Sequence, residues 1–232
     1  MCGAEAMEAG ARYAEIPGCS TAESILCHDF AATLVKCAAG VLEGTKSLAL
    51  FSFAPKLCWS ADDRKLRSQM IRCIVSAYRE GLAAAGIGLA VVQDLSCRTM
   101  LLAWRADLVQ DILADGEKRR FLEHSGFCVQ DAAALVRSVR QKLARYFNGM
   151  HGPGSGGPAS SCRFPHEMGI LFGYPLEDVE GFCTGQVPTC RGAWLAYGDE
   201  KTARRRFEEV RAAEEICRTH FRDSATLAEL VA

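Results

Sequence analysis

Apolar residues first recur at helical spacing in the run Ile25, Leu26, Phe30, Leu34 and Ala38, three and four positions apart. Ser20 or Thr21 is placed to cap this helix near Glu23, and Gly40 and Gly44 break its end. Ser47 to Phe53 is short, apolar and closed by Pro55, which predicts a buried strand. A second helix is predicted from Asp62, with Leu66, Met70, Cys73, Ile74, Ala77 and Tyr78 on its buried face and Arg64, Lys65, Arg72 and Arg79 toward water. Gly81 and Gly86 end it. Ile87 to Val92 and Thr99 to Trp104 are apolar runs separated by Gln93 to Arg98, the pattern of a hairpin with a long loop. Short helices follow at Leu108 to Leu113 and Lys118 to His124, on either side of Asp115-Gly116, and a longer one runs from Asp131 to Phe147.

The texture then changes. Gly149 to Ser161 (GMHGPGSGGPASS) has the composition of a flexible connector. Beyond it, Pro165 to Phe172 and Pro175 to Phe182 read as short helices, each opened by proline, the first closed by Gly173. Ala193 to Tyr197 predicts a strand. A last helix starts near Asp199 and turns Ala203, Phe207, Val210, Cys217 and Phe221 inward. The expected fold is α/β (or α+β): a small mixed sheet of about four strands packed by about five to eight helices. Residues 1–22 form a flexible N-terminal tail, 23–232 a single domain, and 149–161 a flexible loop within it. This arrangement requires contacts between residues 165–199 and 47–104.

Composition narrows the function classes. Hydrophobic residues make up 49% of the 232, enough to fill a core, and the net charge of -1 gives no sign of a nucleic-acid partner. The basic run Lys201, Arg204, Arg205, Arg206 and Arg211 interleaves with Glu208, Glu209, Glu214 and Glu215, which reads as a salt-bridged surface. No run of uninterrupted apolar residues is long enough to cross a membrane, and the first twenty residues lack a signal-like pattern. Twelve cysteines are scattered with no Cys-x-x-Cys pair, which argues against a redox motif or zinc ribbon. Most fall inside apolar periodic segments, so a reduced, soluble, cytoplasmic protein with cysteines as packing residues is expected.

Several motif-like strings fail on context. Gly152-x-Gly154-x-x-Gly157 follows a predicted helix rather than a strand and contains two prolines. Gly44-Thr45-Lys46-Ser47 lacks the upstream glycine of a phosphate loop and precedes a strand. Pro165-His166-Glu167 would need a second histidine where Ile170 stands to be a zinc-protease motif. There is no Gly-x-Ser-x-Gly elbow.

The candidate chemistry gathers around His166 and Glu167, in the first turn of a short helix. Such a turn exposes backbone N–H groups and favours an anion or a carboxylate. Arg163 adds positive charge and Tyr174 a hydroxyl. The alternative is structural, with Glu167 complementing the turn and His166 bonding a backbone carbonyl. Cys162, His166, Cys183 and Cys190 supply donors suited to zinc, in a spacing looser than a standard structural site. Cys190, after Pro188 in a polar loop, is expected to be the most exposed useful thiol.

The segment Phe164 to Pro175 (FPHEMGILFGYP), with Glu177-Asp178-Val179 and Gly181-Phe182 after it, resembles a bacterial family catalogued as a domain of unknown function, number 3793 in its series. Gly192 to Asp199 (GAWLAYGD) resembles the family's second block, Gly-Tyr-Trp-x-Val-Tyr-Gly-Asp, and Lys46 to Phe53 a third. The family's Cys-Ala-Pro-Thr-Leu is represented here by Phe30-Ala31-Ala32-Thr33-Leu34, without the cysteine and proline. The resemblance implies no activity. It points to a pocket lined by the His166 block and the Gly192–Asp199 block, with Arg163, His166, Glu167, Tyr174, Trp194, Tyr197 and Asp199 as candidate ligand-binding residues. Three function classes follow. The leading one is a binding or accessory protein for a small anionic ligand or a metal. The second is an enzyme using His166, Glu167 or Cys190, which requires those side chains to converge in a concave pocket. The third is a protein-interaction module with an exposed apolar face. Cofactor and oligomeric state are not indicated by the sequence.

Overall fold

The computed structural model describes residues 21–55, 64–95, 97–151 and 163–222. Period-two burial in its central strands sets the layout. β1 (Leu48–Phe53), β2 (Ile87–Asp94) and β3 (Thr99–Arg105) form an antiparallel sheet in the order β1-β3-β2. Ala49, Phe51, Phe53, Ile87, Leu89, Leu101 and Ala103 join a core on one face, while Leu48 and Leu102 join a second core on the other. Alternation of this kind follows from the strand geometry, which sends successive side chains to opposite faces.

Helices cover both faces. α1 (Thr21–Leu42) and α2 (Arg64–Ala83) supply Leu26, Phe30, Leu34, Ile71, Val75 and Leu82 to the first core, joined by Cys217 of α7 (Glu200–Arg222). α3 (Ala106–Ala114), α4 (Gly116–His124) and α5 (Ala132–His151) supply Val109, Leu113, Leu122, Leu135, Val139 and Leu143 to the second. Each fully buried leucine or phenylalanine contributes about 1.5–3 kcal/mol relative to exposure. Asp115 starts α4 by accepting from the backbone N–H groups of Glu117 and Lys118.

The C-terminal segment is packed onto this frame. A 3₁₀ helix (His166–Phe172) sends Met168 and Leu171 into the second core, beside Leu48 and Leu102. The buried Ser47 hydroxyl, at the start of β1, donates to Leu171 O at 2.6 Å. The required contact between residues 165–199 and 47–104 is therefore present. α6 (Leu176–Thr184) follows, then a two-residue antiparallel ladder of β4 (Cys190–Arg191) with β5 (Leu195–Ala196).

The mixed α/β class stands, with its main sheet antiparallel throughout. The expected strand at Ala193 to Tyr197 is short and forms its own small ladder instead of joining that sheet. On α2 the buried stripe is rotated from the expected one. Leu66, Cys73 and Ala77 are exposed, and Ile71, Ile74, Val75 and Leu82 are inside. Arg67 is also buried, its guanidinium donating to Leu95 O at 2.9 Å. α5 continues through Gly149 to His151, about one turn beyond its expected end at Phe147. Thr21 and Ala22, expected in the tail, begin α1; the rest of the expected tail, the remainder of the expected glycine-rich loop and Cys162 lie outside the described residues.

In α1 the stretch Ile25–Leu42 is long and apolar enough to cross a membrane by length and composition, with a mean hydropathy of 1.5. It contains Asp29 and Lys36, and 56% of it is buried within the fold. Packing against β1 and α7 accounts for its apolar character.

Candidate functional site

A cavity of about 270 Å³ opens between the 3₁₀ helix, α6 and the segment around Trp194. Its walls carry Phe164, His166, Phe172, Tyr174, Phe182 and Trp194, with Gly169, Asp178, Val179 and Leu195 completing the lining. Two runs of ring contact border it. In one, His166 lies 5.1 Å from Phe164 and 4.7 Å from Phe182, centroid to centroid. In the other, Tyr174 stacks on Trp194 at 5.1 Å, and Trp194 meets Phe207 edge-on at 4.4 Å.

Local sequence explains why these rings are held. Gly173 closes the 3₁₀ helix in the left-handed region, at φ 85°, a conformation that costs glycine little. The chain reverses there, and Tyr174 N donates back to Gly169 O. A Cβ at Gly169 would lie 2.9 Å from Val179 Cγ2 and 3.1 Å from the Tyr174 ring. Glycine at that point therefore lets the 3₁₀ helix, α6 and Tyr174 close on one another.

Asp178 is the pivot. It stands in the first turn of α6, where the helix N-terminus favours a negative charge. The carboxylate is buried at 4% exposure. Oδ2 accepts from the Trp194 indole Nε1–H at 2.7 Å, and Oδ1 accepts from the Tyr197 backbone N–H at 2.6 Å. One buried carboxylate thus fixes the whole 194–197 segment against α6. The Tyr197 ring then covers Gly181, where a Cβ would come within 2.5 Å of it.

The candidate residues divide clearly. His166, Tyr174 and Trp194 line the cavity. Arg163 is exposed and Glu167 half-buried; neither lines it, although both act on His166 electrostatically. Burial lowers the His166 pKa, Arg163 lowers it further, and Glu167 opposes them. Tyr174 has its hydroxyl pKa raised, first by burial and then by Glu214. Tyr197 serves through its backbone and its packing on Gly181. Asp199 is exposed and caps α7, accepting from Thr202 N at 2.7 Å; the Thr202 hydroxyl first and its backbone N–H second lower the Asp199 pKa.

Three expectations change. The first turn of the 3₁₀ helix is not an open anion nest, because His166 N already donates to Phe164 O and Met168 N to Pro165 O. His166 does not tie elements together through a carbonyl: among the described residues its imidazole has ring contacts and no hydrogen bond. Cys190 is not an exposed loop thiol. It is buried with Ala196 and Ala203 in a small cluster of its own, outside the cavity lining. His166, Glu167 and Cys190 consequently do not converge in the cavity. No group of three His, Cys, Asp or Glu side chains among the described residues is arranged to hold a metal. Cys183 is half-buried near Glu167 and Arg163, its pKa raised mainly by burial.

Asp178, Phe164, Phe172 and Phe182 line the cavity although nothing in the sequence singles them out as site residues. The nearest signal is the acidic residue in the first turn of a helix beginning after Pro175, within the Glu177-Asp178-Val179 string.

The family model described as "Protein of unknown function (DUF3793)" matches residues 34–231. That span is most of the chain and includes every wall of the cavity, so the chain belongs to this family. No curated protein and no solved structure matches it.

Proposed function

We propose that this protein is a small-molecule binding protein whose ligand occupies the aromatic cavity between the 3₁₀ helix, α6 and Trp194. The observation that carries this reading is the composition of the walls. Five carbocyclic or indole rings and one imidazole among the described residues border one concavity, packed in runs along its walls yet leaving about 270 Å³ between them. A volume of about 270 Å³ is at the small end of ligand pockets, which run from roughly 300 Å³ upward. It suits a compact molecule of one ring or a branched group of similar size.

The polar complement is sparse, as ligand pockets require for orientation. Tyr174 and His166 offer a hydroxyl and an imidazole, while the Trp194 N–H is already committed to Asp178. An anion is a poor fit, because no lysine or arginine is among the described lining residues and the Asp178 carboxylate borders the cavity.

Saturation-transfer NMR with a mixture of small neutral, cationic and anionic fragments tests the reading. Transfer to at least one class is expected, and it should fade in Leu195→Trp or Phe182→Trp, both of which crowd the cavity. Absence of transfer to every fragment in the wild-type protein would refute it.

A further inference from the structure

We infer that the ligand is a compact organic cation, of the quaternary or methylated ammonium class, held by the aromatic walls and the Asp178 carboxylate. The inference rests on the binding role proposed for this cavity and adds the charge of what is bound. Two independent features point the same way. First, Trp, Tyr and Phe rings dominate the described lining, and aromatic faces attract cations through the ring quadrupole; Tyr174 and Trp194 each commit one face to their mutual stack, so a cation meets at most the other. Second, Asp178 borders the same cavity at 4% exposure. Its two oxygens accept from neutral N–H groups of Trp194 and Tyr197. Among the described residues no lysine, arginine or histidine forms an ion pair with it. Hydrogen bonds and the α6 N-terminus stabilise that charge without cancelling it, and a buried charge is ordinarily paired.

The rest of the lining agrees with this assignment. Among the described lining residues, His166 is the one that can become positive. Its pKa is lowered by burial and by Arg163, against the pull of Glu167, so near neutral pH it does not compete with a cation. Methylated ammonium groups suit such a site because they donate few or no hydrogen bonds and are more weakly hydrated than ammonium or a metal ion, so entering an apolar cavity costs them less. An ion of the size and hydration of sodium would instead need oxygen ligands, and apart from Asp178 and the Tyr174 hydroxyl the described lining side chains are apolar or ring groups.

Isothermal titration with choline and tetramethylammonium tests this, beside 3,3-dimethyl-1-butanol, the neutral isostere of choline, and pivalate, an anion of similar shape. The cations should bind at least about tenfold tighter than the isostere, and pivalate should give no binding. Tyr174→Phe, which keeps the ring face, should retain choline affinity, and Tyr174→Leu should lose about fivefold or more. Equal binding of choline and its isostere would overturn the inference and leave the binding role intact. Fragment binding without any binding of choline or tetramethylammonium would do the same. If Tyr174→Leu alters folding, Phe182→Leu at the exposed edge of the cavity serves instead, with the same loss expected and an unchanged affinity counting against cation–π recognition.

Discussion

The indole N–H of Trp194 donates to Asp178 Oδ2 at 2.7 Å, joining two residues sixteen apart in sequence through a carboxylate that is almost fully buried. Removing the carboxylate strands two donors at once, the Trp194 indole and the Tyr197 backbone N–H. A hydrogen bond to a charged group is worth about 1.5–3 kcal/mol, and an unsatisfied buried donor costs about 1–3 kcal/mol. Asp178→Ala should therefore destabilise the protein by about 2–4 kcal/mol in urea unfolding. Trp194→Phe alone should cost less, since Asp178 keeps its bond to Tyr197 N. The double variant should fall short of the sum, because the two side chains share one interaction. Additive losses would show that the bond contributes nothing.

Glycines of this fold divide into two kinds, and alanine separates them. At Gly181 a Cβ would meet the Tyr197 ring at 2.5 Å, and at Gly192 the Phe207 ring at 2.1 Å. Overpacking of this order costs about 1–3 kcal/mol. Gly116, at the start of α4, has nothing within 4 Å. Gly116→Ala should be neutral or stabilising by up to about 1 kcal/mol, because alanine restricts the unfolded chain. Thermal unfolding of the three single variants should place Gly116→Ala at or above wild type and the other two several degrees below.

Much of the fold was readable because its cues are local. The alternation in Leu48–Phe53, the six-residue gap before Thr99 and the proline–glycine punctuation around 165–185 each act within one element. The α2 stripe was not, since Leu66 and Cys73 fit the helical period as well as Ile71 and Val75 do. Only the position of β2, which sets which face of α2 is covered, decides between them. At the site, the sequence brought the His166 and Trp194 blocks under suspicion but not their joint. Asp178 looks like any acidic first-turn residue until Trp194 and Tyr197 are folded over it. Cys190 went astray for the converse reason: a polar neighbourhood in sequence became a buried position once α7 placed Ala203 against it.

Cysteine reactivity follows exposure more than sequence setting. Cys37, Cys73, Cys97 and Cys128 are exposed, whereas Cys190 and Cys217 are buried. The Cys217 thiol is also pushed up to about 12, first by burial and then by the nearby Glu43 carboxylate, which suppresses the reactive thiolate. Among the described cysteines, brief treatment of the native protein with an aromatic disulfide reagent should label Cys73, Cys97 and Cys128 before Cys190 and Cys217, with Cys37 slower than those three because burial raises its pKa, as read by peptide mass spectrometry. Cys217 and Cys190 should label only on unfolding. Early labelling of Cys217 would mean that α7 separates readily from α1.

His166 gives the fold a specific response to acid. Its folded-state pKa lies below the ordinary value of 6.5, because burial and Arg163 outweigh Glu167. The unfolded chain therefore binds this proton more readily than the folded one, and linkage makes stability fall as pH drops. The contribution is fully present above about pH 6.5 and declines as pH falls from there toward the lowered folded value. Carboxylates such as Asp94, Asp107 and Asp199 are shifted below their ordinary 3.8, and so lose their contributions only at lower pH. Between about pH 4.5 and 6.5 the two effects separate. His166→Phe keeps a ring between Phe164 and Phe182 and leaves no buried partner unpaired. Urea unfolding across that range should show wild-type stability falling with acidity more steeply than that of the variant, with the two closest above pH 7. Parallel curves would place the His166 imidazole in a setting equivalent to water.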